Sequence, residues 1–288
     1  MHTIVKDYRN DDKLRQSFNK LAGNVFGLNF EYWYQSGFWD DNYNPYSIVM
    51  DDKVVANVSV NRTDMRIGDE VKHFIQLGTV MTDEAYRNQG LIRKIMEQIE
   101  MDHLENVDGM YLFASDSVLD FYPKFGFKKS VEYQYSKKVT NTGACQLEQV
   151  IMNHSAAWNS LQDVMDNNVF RGACDMVNND GLIFFYASQF MQECVFYHKD
   201  SETYVIAEPE GESLFIHNVF SKTMKNLDDV IEFFGTDIKE VTLGFAPEKV
   251  EGYEVQEFHE EDCTFFAIGA EMDVMKEKKL RIPTLAHA

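Results

Sequence analysis

Val80-Met81-Thr82-Asp83-Glu84-Ala85-Tyr86-Arg87-Asn88-Gln89-Gly90-Leu91-Ile92 is the stretch on which the fold turns. An apolar, β-forming run over 72–81 ends in it. A helical period begins at its far end, where Leu91, Ile92, Ile95, Met96, Ile99 and Leu104 mark one face of a helix of about four turns. The loop between carries Arg87 and Gly90. A strand–loop–helix junction of this kind aims free backbone N–H groups and the positive end of a helix dipole at one point, which suits a pyrophosphate. Gly90 lets the chain approach a phosphate without a Cβ in the way, and Arg87 adds a charge-assisted contact. Taken alone, the segment reads equally well as an ordinary junction with a solvated arginine.

Upstream, 3–8 is a candidate strand. Over 11–26, Leu14, Phe18, Leu21, Ala22 and Val25 recur at helical spacing until Gly27 ends the run. A second short helix fits 29–36. Strands are expected at 46–50, 54–61 and 72–81, with turns at Asp51-Asp52 and Gly68-Asp69. Downstream come a buried strand at 110–114, a short helix at 118–122 and further strands over 125–135. Strands that run into a helix and back into a strand imply an α/β layer.

Thr140-Asn141-Thr142-Gly143-Ala144 is small and polar, a candidate linker. Beyond it the pattern gives a helix over 147–165, strands at 204–207, 214–220, 241–245 and 264–268, and a helix at 227–234. Strand, strand, helix, strand, strand repeats the order of the first half, as a degenerate internal duplication would. Any small α/β domain can produce the same order.

A second element follows the strand at 110–114: Phe121-Tyr122-Pro123-Lys124-Phe125-Gly126-Phe127. With it, the sequence resembles the GNAT superfamily of N-acetyltransferases over roughly 3–139. The loop at Arg87–Ile92 resembles that family's acetyl-CoA pyrophosphate loop, Arg/Gln-x-x-Gly-x-Gly/Ala, and Tyr122 to Phe127 resembles its Tyr-x-x-x-Gly-Phe signature. Ile92 departs from the general pattern. Gly90-Leu91-Ile92 is closer to the Gly-Leu/Val-Leu form of the Eis-like (enhanced intracellular survival) branch, whose members carry a second, degenerate GNAT-like domain. They usually end in a sterol-carrier-like domain, for which this sequence is too short.

The resemblance implies an α/β (α+β) fold: a GNAT domain with a mixed, mainly antiparallel sheet over 1–140, then a degenerate GNAT-like domain without a cofactor loop over 141–288. It implies acetyl-CoA as co-substrate. Val80, Met81 and Thr82 would bond to the pantetheine arm and polarise the thioester carbonyl. Arg87, Asn88, Gln89, Gly90, Leu91 and Ile92 would hold the pyrophosphate, with Ser115 and Asp116 nearby, and Tyr122 would protonate the leaving thiolate. The proton acceptor is open among Glu31, Asp40, Asp41, Asp116 and the terminal carboxylate of Ala288.

The acceptor side would fall in 26–46. There Phe30, Tyr32, Trp33, Phe38 and Trp39 could line a pocket, with Glu31 among the substrate-binding residues and Asp40 and Asp41 drawing in a cation. Core aromatics plus a solvated acidic turn is the competing reading. Ser221-Lys222-Thr223-Met224-Lys225-Asn226 offers neither glycine nor arginine, so the second half should lack a phosphate cradle. It would close the acceptor cleft, mediate homo-oligomerisation or bind an effector. The apolar tail, 280–288, should pack against the body.

Composition narrows the partners. The 288 residues are 44% hydrophobic, enough for a sizeable core, and the formal net charge is −20. Such a surface repels nucleic acid and anionic membrane and would attract a cationic acceptor; acidity that simply keeps the protein soluble is the competing reading. Cys145, Cys174, Cys194 and Cys263 lie far apart, and neither they nor the histidines show metal-ligand spacing, so no metal is expected. No leader-like or membrane-length apolar run appears, which points to the cytoplasm. The functional expectation is an N-acetyltransferase acting on a primary amine of a small molecule or peptide. A non-catalytic acyl-CoA-binding sensor and an interaction scaffold on a decayed fold stay open.

Overall fold

The chain is described here by a computed structural model covering residues 3–287. β1 (Ile4–Val5) leads to α1 (Asp12–Phe26), which begins because the Asp11 carboxylate accepts from the N–H groups of Lys13 and Leu14 at 3.0 and 3.1 Å. It ends at Gly27 in the left-handed region, φ +72°. Asp11→Ala should cost about 1 kcal/mol, read as a lower Tm in a thermal melt. An unchanged Tm would take the cap out of the stability account.

α2 (Glu31–Gln35) precedes a meander of β2 (Tyr43–Met50), β3 (Lys53–Ile67) and β4 (Glu70–Thr82). α3 (Leu91–His103) crosses over to β5 (Gly109–Ala114). In place of the helix expected at 118–122 there are single 3₁₀ turns, Asp116–Val118 and Tyr122–Phe125. β6 (Lys128–Lys129) and β7 (Glu132–Lys138) follow. The second half runs β8 (Glu148–Gln149), α4 (Ser155–Asp166), β9 (Cys174–Val177), α5 (Asp180–Phe185), β10 (Val195–His198), β11 (Thr203–Glu210) and β12 (Ser213–Ser221). It continues through α6 (Leu227–Glu232), β13 (Glu240–Leu243), β14 (Glu254–Phe258), β15 (Thr264–Ile268) and α7 (Val274–Glu277). The helix expected from 147 starts only at Ser155, where His154 Nδ1 accepts from Ala157 N. Residues 148–149 pair as a strand with β10 instead.

Among the described residues these strands form two sheets. The first is ordered β1-β2-β3-β4-β5-β15-β6, with β9 on the end of β3. The second is β14-β7-β13-β12-β11-β10-β8. Each contains one parallel step made by a helical crossover: β4 to β5 through α3, and β12 to β13 through α6. The antiparallel neighbour of β5 is β15, from the far end of the chain. The corresponding neighbour of β13 is β7, from the first half. Each half thus opens its last strand pair, β6–β7 or β14–β15, and gives the second strand to the other half's sheet. A cut at residue 140 therefore does not separate the sheets.

On the first sheet the side chains alternate faces. Ile48, Ala56, Val58, Val60, Ile75 and Leu77 pack with Leu91, Ile95, Met96 and Ile99 of α3. The other face carries Ser47, Asn57, Ser59, Asn61, Thr63 and Gln76, all buried. No helix among the described residues is long and apolar enough to cross a membrane.

Candidate functional site

β4 and β5 pair only at Phe74↔Gly109, Ile75↔Met110 and Gln76↔Tyr111. Beyond Gln76 the strands diverge, and β4 keeps β3 as its partner on one side while its other edge faces the gap. A bulge re-aims that edge. Between the pairs Asn57↔Met81 and Ser59↔Gly78, β4 carries an extra residue, and Thr79 takes φ +48°. A β-branched residue rarely adopts that conformation, so its surroundings must hold it there. Tyr43 Oη lies 2.6 Å from Thr79 Oγ1, and Asn57 Nδ2 donates to the Thr79 carbonyl at 2.9 Å. Asn57 is itself fixed by Ser47 Oγ (2.8 Å) and Ser59 Oγ (2.9 Å), and Ser47 by the Tyr8 hydroxyl (2.6 Å). Sequence reasoning missed this bulge, because Gly78 beside Thr79 is the natural place for a positive φ. It lies directly before Val80, Met81 and Thr82, the residues expected to meet the thioester arm.

The connection to α3 is held open in the same way. Asp83 caps the 3₁₀ turn Glu84–Tyr86 by accepting from Ala85 N at 3.0 Å. Arg87, Asn88, Gln89 and Gly90 are exposed, with φ +62° at Asn88 and +70° at Gly90. Gly90 is the N-cap of α3 and supplies no side-chain acceptor, whereas α1 and α4 each receive one. The first-turn amides thus point outward, available to an anion. Leu91, buried against the first sheet, anchors this helix end, while Ile92 is half-buried. Arg93 adds a cation that the sequence reading passed over. Its guanidinium lies 5.5 Å from the Phe125 ring centroid, tying α3 to the Tyr122–Phe125 turn.

Tyr122 opens that turn and is 4% exposed. Its ring packs against Phe121, Phe127 and, from β15, Phe266, at centroid distances of 5.3, 6.3 and 6.0 Å. It shares one apolar cluster with Leu91 and Ile95, so the two motifs read in the sequence meet on the α3 side of the splayed strands. Burial pushes the phenol up to about 12, so it stays protonated at neutral pH, as a proton donor must. Ser115 and Asp116 follow the end of β5. The Ser115 hydroxyl pairs with Ser117 Oγ (2.7 Å), and the Asp116 amide donates to the Asp262 carboxylate (2.6 Å).

The expected acceptor wall needs correction. Phe30, Trp33 and Trp39 are only 3%, 1% and 3% exposed, packed with Phe18, Tyr43 and Phe185. Trp33 and Trp39 stack at 5.6 Å, and their indole N–H groups donate to the carbonyls of Gly181 (2.8 Å) and Tyr43 (2.9 Å). With faces and polar edges both satisfied, they are core. Glu31 is spent on Arg15, whose Nε donates to it at 3.0 Å and whose hydrogen bond holds the carboxyl below its usual range. Asp40 caps its own turn by accepting from Asn42 N (2.8 Å), and Asp41 pairs with Arg9 (2.8 Å). Ala288 lies outside the described residues.

The polar floor of the first sheet faces the second half instead. Asn179 Nδ2 donates to Asn61 Oδ1 at 3.0 Å, Asn61 Nδ2 is buried without a partner, and the Tyr111 hydroxyl donates to the Ala286 carbonyl at 2.9 Å. No signal along the chain foretells a polar face here, since alternation shows which residues share a face but not which face is covered. Among the described residues no group of three or more His, Cys, Asp and Glu is placed to hold a metal ion.

Residues 9–130 match the family of the Acetyltransferase (GNAT) domain. No curated protein matches the chain. Among solved structures, a conserved protein from Enterococcus faecalis described as a probable N-acyltransferase is similar, with a TM-score of 0.60 at 15% identity. The match covers 96% of this chain and 74% of that one. Eis1 from Mycobacterium abscessus is similar with a TM-score of 0.55 at 10% identity, over 91% of this chain and 73% of that one. A GCN5-related N-acetyltransferase from Kribbella flavida follows at 0.52 and 12% identity, over 94% and 72%. At such identities the likeness is one of fold, and it spans both halves.

Proposed function

We propose that the chain, whose residues 9–130 match the Acetyltransferase (GNAT) domain family, moves an acetyl group from acetyl-CoA to a primary amine of a small molecule or peptide, with Tyr122 as general acid. One observation carries this reading: β4 parts from β5 after Gln76 and leads into the uncapped start of α3, and Tyr122 packs in the same apolar cluster as that helix.

These residues fit acetyl-CoA. The amides opening α3, with Arg87 and Arg93, suit a pyrophosphate. The bulged edge at Val80–Thr82 offers backbone groups to an extended arm, as an added strand would. Bound there, acetyl-CoA supplies a thioester open to direct attack by the amine. Backbone N–H groups of the β4 edge would stabilise the charge that develops on the carbonyl oxygen. As the C–N bond forms and the C–S bond breaks, Tyr122 gives its proton to the departing sulfur and the ammonium loses one to solvent or a base. The net charge of −20 favours a cationic amine and disfavours nucleic acid.

The test is release of free CoA from acetyl-CoA across a panel of aminoglycosides, polyamines, amino acids and lysine peptides. Amine-dependent release supports an enzyme, whereas binding without release would leave only an acyl-CoA-binding protein. Arg87→Ala should raise the KM for acetyl-CoA about tenfold, the loss of one charge-assisted contact at an exposed site, with kcat little changed. An unchanged KM would remove Arg87 from the cofactor site.

A further inference from the structure

The second half repeats the geometry that makes the cofactor cleft of the first. β12 and β13 run parallel up to Ile216↔Leu243, and Gly244 N donates to the Ile216 carbonyl at 2.8 Å before the two chains part. The positions just past this point, His217 and Gly244, correspond to Leu77 and Leu112 at the apex of the first cleft. The second apex is filled by the protein itself. Thr284 N donates to the Gly244 carbonyl at 2.9 Å, and Thr284 Oγ1 lies 3.0 Å from His217 Nδ1. His217 Nε2 faces the Glu208 carboxylate at 3.0 Å and so carries the ring proton, leaving Nδ1 to accept from the threonine hydroxyl. Gly244 is what admits the segment. A Cβ there would come within 2.6 Å of Thr284 Oγ1 and 3.0 Å of the Phe215 ring.

From this anchor the tail continues to the catalytic sheet. Leu285 and Ala286 are fully buried. The Ala286 carbonyl accepts from Tyr111 and the His287 carbonyl from Tyr186. The His287 ring stacks on Phe113 of β5 at 3.9 Å. Phe113 lies two residues past the last β4–β5 pair, and it alternates with Leu112, which faces α3. The tail therefore reaches the splayed strands from the face opposite Tyr122.

We propose that Thr284–His287 is the resident ligand of the second half's cleft, occupying there the place the thioester arm takes in the first, and that from this seat it forms a wall of the acceptor site. Gly244, His217 and Thr284 are then positioning residues for acceptor use without touching acetyl-CoA. The second clause rests on the acetyltransferase reading, and the first does not.

The test uses the full chain and two variants. Gly244→Ala crowds the seat, and Thr284→Val keeps the side chain's size but deletes the bond to His217. Amide hydrogen exchange reports the seat independently of activity. In the wild type the Thr284 amide should exchange about a hundredfold slower than in an unstructured peptide, and Gly244→Ala should speed it about tenfold. Kinetics report the wall. Both variants should raise acceptor KM, by about tenfold for Gly244→Ala and about threefold for Thr284→Val, with the acetyl-CoA Kd within about twofold of wild type. Should Gly244→Ala not fold, Thr284→Val alone decides. A wild-type tail exchanging at the unstructured rate overturns the seating. An acceptor KM that stays put, or an acetyl-CoA Kd that shifts in step with it, overturns the wall. A wild type that acetylates no amine sinks the proposed function and the wall with it, while exchange still judges the seat.

Discussion

Tyr122→Phe should bind acetyl-CoA as the wild type does and turn over about 10²- to 10⁴-fold more slowly, the usual worth of a positioned general acid. The substitution removes one oxygen and leaves the ring in its packing against Phe121, Phe127 and Phe266, so a large loss of rate would report chemistry rather than unfolding. With the phenol pushed up to about 12, the donor stays loaded through neutral pH. Any fall in wild-type rate below that range must come from another group. Kinetics by thiol release, paired with an acetyl-CoA Kd from thermal shift, separates the two steps. A ligand at 100 times its Kd adds about 2.7 kcal/mol of stability, and that increment should survive the substitution. Equal turnover by the two proteins would mean that Tyr122 is only a core tyrosine.

The local elements around the candidate site that are written in contiguous residues are legible from the sequence. Asp11 and Gly27 bracket α1 because a cap and a left-handed stop are single-residue signals. The loop from Arg87 to Ile92 and the signature from Tyr122 to Phe127 are contiguous, and the proposed cofactor site draws one part from each of them. What depends on distant pairing is not legible. β7 and β15 carry ordinary strand patterns, and nothing in an alternating run says which sheet will take it. The exchange matters because Phe266 of β15 is part of the packing around Tyr122. Composition is equally mute about Phe30, Trp33 and Trp39, since an aromatic cluster has the same letters whether it walls a pocket or fills a core. Only the carbonyls that meet the two indole N–H groups decide it. Thr79 is hidden for the opposite reason: its strained conformation contradicts its own residue type and exists because Tyr43 and Asn57 enforce it.

Glu132→Gln is expected to make the protein more stable above pH 7, by an amount on the order of 3 kcal/mol. Glu132 stands at the start of β7, where the chain leaves the first sheet for the second, and is 4% exposed. One carboxyl oxygen accepts from Ile282 N at 2.8 Å, in the segment that leads into the tail. Burial raises its pKa from the ordinary 4.5 to about 7, against the smaller opposing pull of buried Arg281 and the Ile282 amide. The sign follows from linkage. A carboxyl whose folded pKa lies above its unfolded one binds its proton more tightly in the native state, so its contribution is full below pH 4.5. It is lost as pH rises from 4.5 to about 7, and the penalty is constant beyond. Glutamine keeps the oxygen that Ile282 N needs and cannot ionise. Urea denaturation of both proteins from about pH 4.5 to 8 should give stabilities that agree at the acid end and separate steadily up to about pH 7. Other titrating groups cancel in the difference. Curves that stay parallel across that range would mean that Glu132 is solvated or fully paired, and that the crossing between the sheets carries no buried charge.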